Sequence, residues 1–228
     1  LDLTGPAETF VLAKGAFRLH YTGPDAEVIT SIGITMTGIL PLPDTLPEGS
    51  LLVLPGVTDS ANAFATPAAI KVRHWLMRLQ PEIHRQNIQL MCVCSGALLA
   101  AKSGLLIGIQ CTTHHDVIPR LKAAAPAALV KENRIFIEDR GIWTSAGITS
   151  GIDLALHLIN RFCGAEMALA VAREMVVCFR RSGDDPQLSP WLRYRNHLHP
   201  AIHRVQDALT AEPQKAWPLA DIAALAHI

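Results

Sequence analysis

Residues 89–104, QLMCVCSGALLAAKSG, are the most informative stretch of the chain. An apolar run ends at Cys94, small residues follow it, and a helical stretch closes at Gly104. This order predicts a strand, a tight turn and a helix. A side chain at such a turn lies at the carboxyl end of a parallel sheet, where α/β proteins bind their ligands. The segment therefore predicts an α/β fold with Cys94 at its functional edge.

The same alternation of strand and helix patterns continues on both sides of this segment. Short apolar runs predict buried strands at residues 51–54, 88–93 and 135–137. Stretches with helical spacing predict an opening helix that has Pro6 in its first turn and runs to Ala13. Further helices are predicted to begin at Pro67 and near Ser150, and to run from Glu166 to Val177. Further short strands are predicted at residues 17–21, 27–30 and 33–38. Strands that alternate with helices indicate βαβ units and a largely parallel sheet.

The composition excludes several classes of protein. Of the 228 residues 50% are hydrophobic and only 18% are charged, so the chain can bury one substantial core and is not disordered as a whole. Lys plus Arg and Asp plus Glu both number 20, which leaves no overall field to attract nucleic acid or a membrane. The longest apolar stretch, residues 97–109, contains Lys102 and is too short to span a bilayer. No secretory signal is visible, and the five unevenly spaced cysteines suit the reducing cytoplasm.

Towards the end of the chain, prolines and basic residues become frequent. We expect a linker over residues 182–198 and short helices that begin at Pro200 and Pro218. Two short helices cannot bury a core by themselves. The chain starts without a methionine and stops at Ile228 inside a helical pattern, so we expect a fragment cut at both ends.

Cys94 is a candidate nucleophile. The amino terminus of the helix that follows it would lower the pKa of the thiol by stabilising the reactive thiolate. The alternative is a buried and inert cysteine, the role expected for Cys92, Cys163 and Cys178. The residues alone leave both interpretations open.

Several ordered blocks resemble a known superfamily. Cys94-Ser95-Gly96-Ala97, residues 101–108 (AKSGLLIG) and Cys111-Thr112-Thr113-His114 are similar to ThiJ/PfpI domains, which are glutamine-amidotransferase-like. Residues 143–156 (WTSAGITSGIDLAL) and 169–173 (LAVAR) resemble the GlxA-type branch, in which this domain precedes an AraC helix-turn-helix module. The resemblance implies a flavodoxin-like, mostly parallel sheet between helices over residues 1–181. After the linker, residues 199–228 would be the all-α start of an incomplete AraC-type DNA-binding domain.

The resemblance also implies roles for individual residues. The nucleophile of the superfamily corresponds to Cys94, and a histidine that could exchange its proton corresponds to His114. Asp2 matches an acid-base aspartate of the related isocyanide hydratases. Each has a plainer alternative, since His114 could cap the end of a strand and Asp2 could cap the opening helix.

A ligand-binding set follows from the same resemblance. Backbone amides near Gly56 would face the pocket and bind a carboxylate or an oxyanion. The expected ligand-binding residues are Gly56, Val57, Cys94, Ser95 and His114. Val57 stands where the family has a second glycine, and His115 stands where it often has an aromatic residue, so the shape of the pocket departs from the family pattern.

We predict neither a metal nor a cofactor. Cys111, His114 and His115 are zinc-binding residue types. However, adjacent histidines in a strand point to opposite faces, and no fourth ligand follows at a recognisable spacing.

Two functions compete. The first is an AraC-family transcription regulator whose α/β domain binds a small effector, amino-acid-like or nitrogen-containing, and which reaches DNA only through the full-length C-terminal domain. We expect it to be a cytoplasmic homodimer without membrane contact. The second is a hydratase or amidase-like enzyme with Cys94 as nucleophile, His114 and Asp2 as proton carriers and the amides near Gly56 as electrophilic support. The helices after Pro200 favour the regulator over the enzyme.

Overall fold

A computed structural model describes residues 1–58, 62–177, 180–188 and 199–227. The chain forms two compact units, Leu1–Gln187 and Leu188–Ile228. The predicted linker lies largely outside the described residues, and so does Cys178. The division of the chain into a sensing domain and the start of a DNA-binding domain stays a prediction.

The main sheet of the first unit has four strands. The described strands are β1 (Thr22–Gly23), β2 (Val28–Ile29), β3 (Thr35–Met36), β4 (Leu40–Pro41), β5 (Leu51–Leu54), β6 (Gln89–Val93), β7 (Gln110–Cys111), β8 (Leu129–Val130), β9 (Phe136–Asp139) and β10 (Ile142–Ser145). The main sheet has the order β5-β6-β10-β9. β6 pairs in parallel with β5 and with β10, and only β9 runs antiparallel. The predicted largely parallel sheet is therefore present, with β6 inside it.

Helices cover both faces of this sheet. Their bounds are α1 (Thr4–Val11), α2 (Pro67–His84), α3 (Gly96–Lys102), α4 (Ile118–Ala124), α5 (Ser150–Cys163) and α6 (Ala165–Glu174) in the first unit, and α7 (Pro200–Ala211) and α8 (Leu219–Ala226) in the second. Two 3-10 turns lie at Ala63–Ala65 and His115–Val117. At the start of α2 the Thr66 hydroxyl accepts a hydrogen bond from the Ala69 amide, and Pro67 takes the first position, where its missing N–H costs nothing.

The apolar run of β6 divides the core in two. Leu90 and Cys92 pack on one face with side chains of α2 and α3, whereas Met91 and Val93 pack on the other with α5 and α6. Because a parallel strand between two helical layers is buried on both faces, its sequence is continuously apolar rather than alternating. Trp143 on β10 is also fully buried. This packing holds the carboxyl end of β6, and thus Cys94, at a fixed place.

The differences from the sequence prediction are local. α1 has Pro6 in its first turn, as predicted, but ends at Val11 rather than Ala13. α6 ends at Glu174 rather than Val177, because Val176 takes a left-handed backbone conformation with φ of 53°. Residues 17–21 do not form the predicted strand. The segment after them instead forms two small two-stranded sheets, β1 with β4 and β2 with β3. β2 and β3 lie within the strands predicted at residues 27–30 and 33–38. The two-residue strands β1 and β4 carry too little periodicity for a sequence pattern to place them.

The second unit consists of two helices in its described part. The Arg204 side chain on α7 donates hydrogen bonds to the backbone carbonyl oxygens of Leu225 and Ala226 at the end of α8, at 3.1 and 3.4 Å. Both helices begin where the prolines predicted. Among the described helices of the chain, none is long and apolar enough to cross a membrane.

Candidate functional site

Cys94 occupies a strained turn between β6 and α3. Its φ of 54° lies in the left-handed region, which is unfavourable for a residue with a side chain. Its amide donates to the Ser145 carbonyl at 3.0 Å, and its own carbonyl accepts a hydrogen bond from the Thr113 hydroxyl at 2.7 Å. Backbone strain of this kind persists only where the surroundings fix it, and it concentrates at functional sites.

Two glycines let the neighbouring loops close around Cys94. Gly147 has a φ of 89°, and a Cβ there would lie 2.7 Å from the Cys94 sulfur and collide with its Cβ. A Cβ on Gly56 would lie 2.8 Å from the Cys94 Cβ and would collide with the Asp2 carboxylate. The absence of side chains at both positions therefore makes room for the elbow and its aspartate.

Asp2 reaches this site from the amino terminus of the chain. One carboxylate oxygen accepts a hydrogen bond from the Ile148 amide at 2.7 Å, and the carboxylate is also hydrogen-bonded to the Cys94 thiol. No side chain caps the start of α1. The alternative role of Asp2 as the cap of the opening helix is therefore not what the structure shows. Asp2 joins the cysteine to the loop that precedes α5.

The Cys94 thiol is protonated at neutral pH. Burial is the main cause that raises its pKa, the negative charge of Asp2 raises it further, and hydrogen bonds from Ser95 act in the opposite direction, with a resulting pKa of about 11. The Ser95 backbone amide, at the start of the helix, does lower the pKa as expected, but burial and Asp2 outweigh it, so the predicted net fall does not occur. A neutral thiol beside a carboxylate is a hydrogen-bond donor, and it becomes a nucleophile only when a base removes its proton.

Ser95 and Val57 bind each other across the site. The Val57 amide donates to the Ser95 hydroxyl oxygen at 2.8 Å, and the hydroxyl donates to the Val57 carbonyl at 3.1 Å. The Val57 amide is thus already satisfied. Within the described chain the Gly56 amide has no protein acceptor, so Gly56 is the better candidate for a ligand-binding amide.

His114 lies in a turn rather than in a strand. Its Nδ1 accepts a hydrogen bond from the Asp116 amide at 3.3 Å and caps the 3-10 turn. Burial and the neighbouring His115 lower the pKa of His114, against the charges of Asp116 and Asp2. In the described part of the chain His114 makes no hydrogen bond to Cys94. Among the described residues, the carboxylate of Asp2 is hydrogen-bonded to the thiol, whereas the imidazole of His114 is not.

The histidines do not diverge as a strand would make them. The rings of His114 and His115 lie 4.2 Å apart, and His115 Nδ1 is 3.0 Å from an oxygen of Asp116. Possible ligand atoms of these three residues lie within 4.8 Å of one another, so they could hold a divalent cation on an exposed turn. The prediction that these two histidines point to opposite faces of a strand is therefore wrong. Cys111 is buried on β7, and burial followed by the charge of Asp139 raises its pKa to about 12.

Three residues of the site received no role from the sequence: Thr113, Gly147 and Ile148. They supply, in order, a hydroxyl to the Cys94 carbonyl, a space beside its sulfur and an amide to Asp2. All three lie within the sequence blocks that carry the family resemblance, and membership of those blocks is the feature of the sequence that could have indicated them. Two surface grooves, of about 540 and about 310 Å³, are lined by residues 122–131 and by residues 23–42 with Lys71, away from Cys94.

The pKa of Cys94 can be measured through its alkylation by iodoacetamide, followed peptide by peptide by mass spectrometry. Because only the thiolate reacts, the rate should rise about tenfold per pH unit until it levels near pH 11. Asp2→Asn removes the charge that raises this pKa, so alkylation at pH 8 should become faster. Glu8→Gln, an exposed change on α1, is the matched control. A native rate that levels near pH 8.5 would contradict the assignment.

Gly147→Ala should destabilise the protein more than Gly164→Ala. The two glycines share a φ of about 90°, but a Cβ on Gly164 meets nothing within 4 Å, whereas one on Gly147 meets Cys94. We expect a loss of about 1 kcal/mol at Gly164 and about 3 kcal/mol or more at Gly147. Urea unfolding measures both, and equal losses would mean that the elbow is not packed as described.

Comparison with known proteins places these observations in a family. The DJ-1/PfpI family model matches residues 1–161. Over 144 residues the chain is 28% identical to the HTH-type transcriptional regulator GbdR of Pseudomonas aeruginosa, a match covering 63% of this chain and 39% of that protein. It is 36% identical over 182 residues to the isonitrile hydratase of Pseudomonas putida, covering 77% of this chain and 72% of the enzyme.

A solved structure shares the fold. An AraC family transcriptional regulator from Pseudomonas putida superimposes with a TM-score of 0.64 at 21% identity, over 76% of this chain and 91% of that one. The chain spans about two fifths of the length of GbdR. The predicted flavodoxin-like α/β fold and the resemblance to regulators with a ThiJ/PfpI domain are confirmed. This chain belongs to the DJ-1/PfpI family.

Proposed function

We propose that the chain is the ligand-sensing part of an AraC-family transcription regulator. The observation that carries this proposal is the order of its parts. An α/β unit similar to an HTH-type regulator is followed in the same chain by the helix pair α7 and α8. We infer that this pair opens an AraC-type DNA-binding domain, so that DNA is bound through the C-terminal domain of the full-length protein. The unpaired cysteines, Cys92, Cys94, Cys111 and Cys163, support a cytoplasmic location.

The effector binds, on this proposal, at the elbow. The groups available to it are the carboxylate of Asp2, the neutral thiol of Cys94 and the amide of Gly56. A carboxylate attracts a cationic or N–H-bearing group, while a backbone amide donates to a carboxylate or carbonyl oxygen. This combination suits a small nitrogen-containing or amino-acid-like molecule.

An enzyme of the hydratase type is the second candidate. The observation that favours it is the hydrogen-bonded set Cys94, Asp2 and Ile148, in a chain that is 36% identical to an isonitrile hydratase. The Cys94 sulfur would add to the isonitrile carbon while Asp2 moves the thiol proton to that carbon, giving a thioimidate. Water would then add to the thioimidate carbon, and loss of the thiol would release the N-substituted formamide and restore Cys94.

A thermal-shift screen separates the two candidates. We would compare the native chain, Cys94→Ala and the control Cys163→Ala against amines, amino acids and an alkyl isonitrile, and follow each compound by mass spectrometry. A compound at about 100 times its Kd should raise the Tm by about 5–10 °C. The regulator is supported if a compound raises the Tm of the native chain and is recovered chemically unchanged. Conversion of the isonitrile to its formamide by the native chain and by Cys163→Ala, but not by Cys94→Ala, would establish the enzyme.

We further propose that the chain forms a homodimer through the hairpin of β2 and β3. Ile29, Ile32 and Ile34 are 77%, 78% and 60% exposed there. A two-stranded hairpin is barely stable in water by itself, and clustered exposed apolar side chains mark interaction surfaces. A second copy is the occupant we infer, because helix-turn-helix regulators pair on two half-sites.

The dimer is tested by light scattering on the eluting protein. The native chain should have twice its mass of 24.7 kDa. Ile29→Asp combined with Ile32→Asp should give the single mass, since two buried charges would disrupt an apolar interface. The control is Ile107→Asp, which changes a residue that is 61% exposed elsewhere on the unit. A native chain that elutes as a monomer would contradict the dimer.

A further inference from the structure

Residues 181–187 are the last part of the first unit, and we call them the strap. The chain continues from Gln187 directly into the second unit. The middle of the strap lies beside the start of β9. The amide of Ile135, the residue before this strand, lies 3.1 Å from the carbonyl oxygens of both Gly183 and Asp185. A Cβ on Gly183 would lie 2.8 Å from the Phe136 carbonyl oxygen, so the strap runs close against the strand.

The first end of the strap is clamped by Arg181. Its Nε and Nη2 donate to one Asp153 oxygen at 2.9 and 2.6 Å, and its backbone amide donates to the other at 3.1 Å. Asp153, on the first turn of α5, is only 7% exposed. A buried carboxylate that is held by a guanidinium and an amide fixes the geometry of both partners.

This clamp touches the loop that binds Asp2. Arg181 Nη2 also donates to the Thr149 hydroxyl at 2.8 Å. Thr149 directly follows Ile148, whose amide donates to the Asp2 carboxylate beside Cys94. A shift of Ile148 towards or away from Asp2 therefore changes the position of the Arg181 partner.

The second end of the strap reaches Cys94 by a separate route. Gln187 Nε2 donates to the Thr113 carbonyl at 2.8 Å, and the Thr113 hydroxyl donates to the Cys94 carbonyl at 2.7 Å. The Gln187 backbone amide is held by the Asn133 side chain at 3.1 Å. Arg181 thus contacts Thr149, the neighbour of the residue that binds Asp2. Gln187 contacts Thr113, which itself binds Cys94.

We propose that the strap is the output element of the site. A ligand that replaces an existing hydrogen bond of Asp2, Ile148 or Cys94 displaces Thr149 and Thr113. These displacements change the attachment of Arg181 and Gln187. The regulatory meaning of this coupling rests on the proposed function, because the strap precedes in sequence the helices that we infer to open a DNA-binding domain. The coupling itself is a property of the first unit and is reciprocal, so changes in the strap must also alter the pocket.

The test uses the whole chain and both directions of this coupling. Gln187→Ala removes one attachment, and Arg181→Lys loses the Thr149 contact while keeping a positive charge beside Asp153. Each should raise the alkylation rate of Cys94 by iodoacetamide by about five-fold, the factor that one ordinary hydrogen bond represents. Arg181→Lys, which loses the contact with Thr149, should also raise the hydrogen exchange of residues 146–150 by a similar factor. In the reverse direction, Asp2→Ala should raise hydrogen exchange in residues 181–187 by a similar factor. Arg173→Lys and Glu8→Ala, both at exposed positions, are the matched controls.

Independence of the two regions would overturn the proposal. In that case Gln187→Ala and Arg181→Lys would show faster hydrogen exchange in the strap alone, and Cys94 would be alkylated at the native rate. Asp2→Ala would show faster hydrogen exchange in residues 146–150 alone. Thr149→Val keeps the ion pair of Arg181 with Asp153 and removes one hydrogen bond, so it gives the same answer if Arg181→Lys unfolds. No DNA or effector enters the experiment, and a coupled strap in a protein that binds no DNA would refute only the proposed function.

Discussion

The left-handed backbone conformation of Cys94 determines how the other residues of the site are arranged. β6 is buried on both faces between two helical layers, so its end cannot relax to relieve the strain at φ of 54°. The loops on either side approach this turn only because Gly56 and Gly147 lack side chains. The same crowding places the Asp2 carboxylate against the thiol and the Ile148 amide against the carboxylate. One conformation of one residue thus brings together parts of the chain that are far apart in sequence.

The electrostatics of the turn favour a receptor as readily as a catalyst. A thiol whose pKa is raised to about 11 by burial and by Asp2 does not attack spontaneously at neutral pH. It offers a weak hydrogen-bond donor beside a carboxylate, and these two groups can bind a ligand without reacting. The thiol becomes a nucleophile only when its proton is transferred, for example to a bound substrate. A regulator and a hydratase can therefore share this geometry. What separates them is whether the bound molecule reacts and what the rest of the chain does with the bound state.

The sequence predicted the sheet, the elbow and most helix starts, because long apolar runs and prolines act locally. It could not place Asp2 beside Cys94 by pattern, since these residues meet only through the tertiary fold, and the resemblance to isocyanide hydratases was the sole indication. Within the part of the chain that the structure describes, Cys94 and His114 share no hydrogen bond, and Nδ1 of His114 accepts from the Asp116 amide instead. The pKa of Cys94 was expected to fall, but burial and the carboxylate outweigh a helix of seven residues. The contacts of Arg181 and Gln187 could not be predicted from the sequence either, because they too form only in the tertiary fold.

We would test the regulator by chromatin immunoprecipitation of the protein at its natural length, with an untagged strain as control. A sensing unit joined to an AraC-type domain should give discrete genomic sites that contain paired half-sites, spaced by about one helical turn of DNA or a multiple of it. Enrichment no greater than in the untagged control would contradict the regulator and leave the hydratase as the function that this site supports.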